Sequence, residues 1–201
     1  MPLDVYAGEE HFADHLAPIY RSLSEPGDFL LASSVFERYS HRPERWPAWT
    51  DHFTDPSRPV LVASFGDHKR MLRTGRTRIA RIEHGAGQAY GTNHGSYSGG
   101  KDADSLSLML VPNQYSAHLW RKAYPELRVE IVGCPKLDSL PRKDPTEPLT
   151  VAISFHWDCH LVPEATSAFA TFRYALADLK REFNLIGHGH PRAMVGPPSL
   201  E

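Results

Sequence analysis

Pro59-Val60-Leu61-Val62-Ala63-Ser64, then residues 65–75, then Arg78-Ile79-Ala80-Arg81-Ile82: this stretch decides how the chain folds. Its two short apolar runs, rich in Val and Ile, read as buried strands. Between them Asp67 is placed to cap a short helix that Gly75 ends. Strand, helix and strand in such close succession make a parallel βαβ unit. The pattern extends both ways. Downstream, Leu106–Val111 is a strand, Asn113 caps a helix carrying Tyr115, Leu119 and Ala123, and residues 128–132 form a strand ending at Gly133. Upstream, Leu3–Ala7 is a strand, and a helix follows with Phe12, Leu16, Ile19, Tyr20 and Leu23 on one face. Pro18 inside that helix removes an amide donor and is expected to kink or split it. Phe29-Leu30-Leu31-Ala32 is a further strand, and residues 40–58, with Trp46 and Trp49, read as a packed loop.

Residues 141–148 break the pattern with Pro141, Pro145, Pro148 and charges, which marks a linker. A new unit then begins: a strand at 149–154, a long helix with Ala165, Ala168, Phe169, Phe172, Ala175, Leu176 and Leu179 on its apolar stripe, and a strand at Phe183-Asn184-Leu185-Ile186. The chain therefore reads as α/β with parallel sheets. One Rossmann-like domain spans residues 1–140, and the start of a second spans 149–201, truncated before its fold closes. Leu200-Glu201 reads as a cloning remnant.

Composition narrows the function. A hydrophobic content of 41% supports a real core, and a net charge of −2 is unlike the basic domain that a general nucleic-acid binder needs. No run approaches the roughly 20 apolar residues of a membrane span. The first residues lack the basic and apolar regions of an export signal, so the expected location is cytoplasmic, with attachment to a membrane surface left open. Cys134 and Cys159, the only cysteines, read as free thiols in that setting.

Two strand ends carry the chemistry. Glu83-His84-Gly85-Ala86-Gly87 follows one apolar run, and Gly187-His188-Gly189-His190-Pro191-Arg192 follows another. In open α/β sheets ligands bind at the carboxyl ends of the strands. His84, with an ordinary pKa near 6.5, is suited to take a proton from an attacking hydroxyl. Glu83 either orients it or faces away. The glycines, Gly85 and Gly87, let a ligand approach the main chain. His188, His190 and Arg192 suit the phosphates of a nucleotide-linked compound. Ser64-Phe65-Gly66-Asp67-His68 is a weaker strand-end turn that places His68 at the cleft. The alternative readings are plain: a histidine bonded within its own loop, or a polar turn after an edge strand. A metal set drawn from His188, His190, His156, Asp158, Cys159 and His160 matches no standard spacing, so no metal is expected. Lys69, Arg70, Arg73, Arg76, Arg78 and Arg81 read as a solvated basic face, with steering of an anionic substrate as the alternative. The glycine-rich loop at 85–100 lacks a Walker pattern and the dinucleotide fingerprint, so a nicotinamide cofactor has no support and no cofactor is expected, and no Gly-x-Ser-x-Gly elbow is present. Tyr97 and Trp157 are either stacking platforms or packing residues.

The order of these motifs resembles the CDP-glycerol glycerophosphotransferase family, the teichoic-acid polymerases and primases of GT-B fold. The residues that carry the resemblance are His84-Gly85, Val111-Pro112-Asn113-Gln114-Tyr115, Gly133-Cys134-Pro135-Lys136-Leu137-Asp138, the strand at 149–154 and His190-Pro191. Together they cover roughly residues 60–192. The resemblance implies a GT-B-like pair of Rossmann-like domains, His84 as the catalytic base, and His190 with Arg192 beside the donor's pyrophosphate. Asn113 and Asp138 then fall among the cleft-lining residues. The implied donor is CDP-glycerol, CDP-ribitol or a nucleotide sugar. The implied acceptor is a hydroxyl-bearing molecule such as a membrane-associated cell-wall polymer. The family often has an aromatic residue where this chain has Glu83, its Asp-Ser-Ser donor segment is absent, and the first 58 residues carry no motif of the family. Two other functions fit the same architecture: a sugar-nucleotide 2-epimerase, and a non-catalytic nucleotide-binding module.

Overall fold

Val60, Leu61 and Val62 lie in the hydrophobic core with essentially no exposed surface. In this computed structural model, residues 1–39, 45–47, 49–50, 52–85, 100–141, 144–145, 147–155 and 167–189 are described. They fall into two compact units, Met1–Leu140 and Pro141–Glu201.

The first unit is built on six strands: β1 (Leu3–Ala7), β2 (Pro26–Leu31), β3 (Val60–Val62), β4 (Ile79–Ile82), β5 (Leu106–Val111) and β6 (Val129–Ile131). They form one sheet in the order β2-β1-β3-β4-β5-β6, with every pairing parallel. Parallel sheets need cover on both faces, which is why the central strands are continuous apolar runs. The flanking helices are α1 (Glu10–Ser22), α2 (Ser33–Tyr39), α3 (Phe65–Arg73) and α4 (Gln114–Ala123). α1 buries Phe12, Ala13, Leu16 and Ala17, and α4 buries Ser116, Ala117 and Trp120. Side-chain caps fix two helix starts: Ser64 accepts the Asp67 amide and Asn113 accepts the Ser116 amide.

Three expectations are corrected here, and one helix was not foreseen. Pro18 lies inside α1 without splitting it. α3 is capped by Ser64, not Asp67, which sits in its first turn. α2 was not legible as a helix. The basic run is a solvated face only in part: Arg70, Arg73 and Arg78 are exposed, but Arg76 and Arg81 are buried, the first against Asp4 and the second over the Trp120 ring at 4.8 Å.

The amino edge of the sheet is held by a buried charge. Asp4, with no exposed surface, receives Arg76 Nη2 at 2.9 Å and the Asp28 amide at 2.8 Å. Gly27 packs so closely on it that a Cβ there would lie 2.2 Å from Asp4 Oδ1.

In the second unit, β7 (Thr150–Phe155) pairs in parallel with β8 (Asn184–Gly189), joined through α5 (Phe169–Phe172) and α6 (Ala175–Glu182). One long helix was expected; the described part is two short ones, broken at Arg173 and Tyr174. The last strand also runs further than expected. Pairing with β7 continues through Ser154↔His188 and Phe155↔Gly189, so His188 lies within the strand and not after it. None of this unit's described residues is buried.

Candidate functional site

The strand order sets the place to look. β2 lies on one side of β1 and β3 on the other, so the chain reverses direction across the sheet between β1 and β3. Crevices form at the carboxyl ends of strands flanking such a switch point. Three segments converge there: Gly8 and Glu9 after β1, Ser64 to Asp67 after β3, and Glu83 to Gly85 after β4.

Asp67 is nearly buried, and its Oδ2 accepts the Gly8 amide at 3.1 Å. A Cβ on Gly8 would lie 2.1 Å from Asp67 Oδ1, so this approach requires glycine. An internal carboxylate therefore occupies an amide that could otherwise receive a ligand phosphate at the first strand–helix turn. Burial pushes the Asp67 carboxyl up to about 6, against the Gly8 amide, Ser64 and Arg70, which favour the anion, while Glu9 adds to the rise. Folding thus strengthens proton binding at Asp67, and its ionisation destabilises the fold as pH rises from about 4 to about 6. Asp67→Asn keeps an acceptor for Gly8 without the charge. Its stability relative to the parent chain should rise across that window by roughly 2–3 kcal/mol and level off above it. Paired denaturant titrations at several pH values measure this, and a pH-independent difference contradicts it.

His84 follows β4 and is half-buried. Its Nδ1 lies 2.8 Å from the Ala63 carbonyl oxygen. A carbonyl only accepts, so Nδ1 carries the hydrogen and Nε2 is the basic nitrogen of the neutral ring. Burial lowers the His84 pKa, assisted by Arg81 and opposed by the Ala63 bond and Glu9. The ring is therefore a neutral base at physiological pH. Glu83 faces away from it: its Oε1 accepts the Trp120 indole N–H at 2.6 Å, and burial raises its pKa.

Two further imidazoles were missed in the sequence. His11 and His15, one helical turn apart on α1, stand around His84 with ring centres 6.1 and 6.2 Å from its own. Phe12 packs edge-on against His84 at 5.0 Å. His11 Nδ1 lies 3.6 Å from the Glu9 carboxylate. A 3-10 turn at Pro135–Leu137 packs against α1 and brings Lys136 toward His15. The readable signal was two histidines spaced i, i+4 directly after the first strand; only the apolar stripe of that helix was used.

The other expected residues divide. Gly85 is exposed, with open space where a Cβ would go. Asn113 spends its side chain on capping α4. Asp138 is exposed after the Pro135–Leu137 turn and borders a groove of about 450 Å³ with Pro18, Ile19, Leu110 and Pro135. His68 is corrected: it is fully buried, with Nε2 at 2.9 Å from Ser105 Oγ, so it lines no open cleft. His188 is placed in β8, but its side chain is outside the description. Gly87, Tyr97, His156, Trp157, Asp158, Cys159, His160, His190 and Arg192 lie outside the described residues.

No protein-family model, curated protein or solved structure matches the chain. Among the described residues no group of three His, Cys, Asp or Glu side chains is arranged to hold a metal ion, and no helix is long and apolar enough to cross a membrane. Cys134 is a free thiol.

Proposed function

We propose that the chain is a GT-B-type transferase that moves a glycerophosphate, polyol-phosphate or glycosyl group from a nucleotide-linked donor to an acceptor hydroxyl. The observation that carries this reading is the orientation of His84. Its Nδ1–H is fixed on the Ala63 carbonyl, Nε2 keeps its lone pair, and the ring sits at the carboxyl edge of a parallel sheet in neutral form. That is the state a general base needs before it meets a hydroxyl. In the proposed reaction Nε2 takes the acceptor's proton as its oxygen attacks the donor, and the nucleotide leaves with the bonding electron pair. Donor phosphates fall to His190 and Arg192, as the family resemblance implies, with His188 beside them in the same segment. On this reading the protein works in the cytoplasm, at the membrane surface where a cell-wall polymer is its acceptor.

The test is a screen of CDP-, UDP- and GDP-linked polyols and sugars for nucleotide release that depends on a hydroxyl acceptor. Acceptor-dependent release is the expected result. Epimerised donor without release supports the sugar-nucleotide 2-epimerase instead, and binding without any conversion supports a non-catalytic module.

A further inference from the structure

We propose that the first unit pairs with a second copy of itself through β6, strand against strand in antiparallel order, with Arg128 of each copy opposite Glu130 of the other. The pairing uses the edge of the sheet and does not rest on the transferase reading.

The two edges of the sheet differ. Along β2, Thr50 takes up the outer backbone groups: its amide donates to the Phe29 carbonyl at 2.9 Å, and its carbonyl accepts the Leu31 amide at 3.3 Å. Among the described residues no strand or bridge lies beyond β6. There the Met109 amide donates to the Arg128 carbonyl, and the Val132 amide donates to the Val111 carbonyl, both at 2.9 Å. That ladder turns the N–H and C=O groups of Val129 and Ile131 away from β5, toward a further strand. Arg121 of α4 donates to the outward Val129 carbonyl at 2.7 Å, and a carbonyl oxygen has a second lone pair for an incoming amide.

The side chains select the register. Successive strand residues alternate between faces, so Val129 and Ile131 share one face, and Arg128 and Glu130 share the other. Val129 is buried and Ile131 exposed; Arg128 and Glu130 are both exposed and bond each other at 3.0 Å. A two-fold axis beside Val129 sets Arg128 opposite Glu130 twice, and the four charges alternate in sign around it. The same axis sets each exposed Ile131 against the half-buried Leu127 of the other copy. Centring the axis on Glu130 would place two carboxylates face to face, and centring it on Arg128 would do the same to two guanidinium groups. Charges of one sign along an edge repel a second copy. β6 carries one of each sign, spaced to complement itself, which a two-fold interface requires. The paired segment is short, so the association is expected to be weak, with a dissociation constant on the order of 10–100 μM.

Analytical ultracentrifugation of the full chain, across concentrations from about 1 to 500 μM, measures the association. Arg128→Glu and Glu130→Arg should each weaken it about tenfold, because each sets like charges opposite one another twice. An equimolar mixture of the two variants should recover it, since one then offers two acids along β6 and the other two bases. The double variant Arg128→Glu/Glu130→Arg should recover it as well. Both side chains are exposed, and circular dichroism checks that the fold is kept. Ile131→Pro removes an outward amide and no bond of the ladder, and it should leave the chain monomeric. A parent chain that stays monomeric across the whole range overturns the proposal; Val129 and Ile131 amides that then resist hydrogen exchange assign the edge to another segment of the same chain. A dimer indifferent to both charge reversals also overturns it, by placing the contact on a different surface.

Discussion

Replacing His84 by alanine should lower acceptor-dependent turnover by about 10²–10⁴-fold, the usual contribution of a positioned general base. The fold should tolerate the change, because the ring is half-buried and its one strong bond is to the Ala63 carbonyl. Thermal unfolding of the variant separates lost chemistry from lost structure. The pH dependence adds a sign. Burial lowers the His84 pKa, so on the proposed reading the parent chain should keep its base form through neutrality and lose rate only at pH below the ordinary histidine value. That acid limb should vanish in the variant's residual activity. Turnover equal to the parent's would remove His84 from the mechanism and the transferase proposal with it.

Asp4→Ala should cost about 3–5 kcal/mol of stability, the range for breaking a buried ion pair by removing one partner. Arg76 has 3% of its surface exposed and Asp4 none, so neither loss can be made good by water. The carboxylate also receives the Asp28 amide, so its removal strands the buried Arg76 and a backbone donor together, whereas Arg58, 3.6 Å from Asp4, keeps Asp28 and Asp55 as partners. Arg76 has a second anchor in the Arg58 carbonyl at 2.6 Å, which fixes it in place without neutralising it. The expected fall in melting temperature is on the order of 10 °C. Chemical denaturation of Asp4→Ala, Arg76→Met and the double variant closes a cycle. The double variant should be less damaged than the sum of the single ones, because it leaves no charge unpaired. A cost under about 1 kcal/mol for Asp4→Ala would mean that the pair is hydrated and the amino edge is held by packing alone.

Much of the sheet was legible because buried parallel strands are written as unbroken apolar runs: Val60–Val62, Ile79–Ile82 and Leu106–Val111 could hardly be read otherwise. Helices were harder. α2 has only Val35 and Phe36 to mark a buried side, too little for a periodic signal. The glycines after Ile186 looked like a strand end, yet β7 supplies partners as far as Gly189, and a hydrogen-bonded neighbour cannot be seen from one strand's own sequence. Burial of charge was equally hidden. Arg76 and Arg81 share their spelling with surface arginines; only the fold places Asp4 beside one and Trp120 under the other. In the candidate site, the strand-end position of His84 was readable, whereas His11 and His15 required knowing that α1 crosses over that strand end.

The sheet order has a kinetic meaning as well. The second strand to leave the ribosome docks on the first, the third joins the first on its other side, and each later one adds to the strand made just before it. No strand of the first unit waits for a neighbour still to be translated. Assembly can therefore proceed from the amino terminus in the order of synthesis, which suits a topology whose purely parallel pairings make refolding from the complete chain slow.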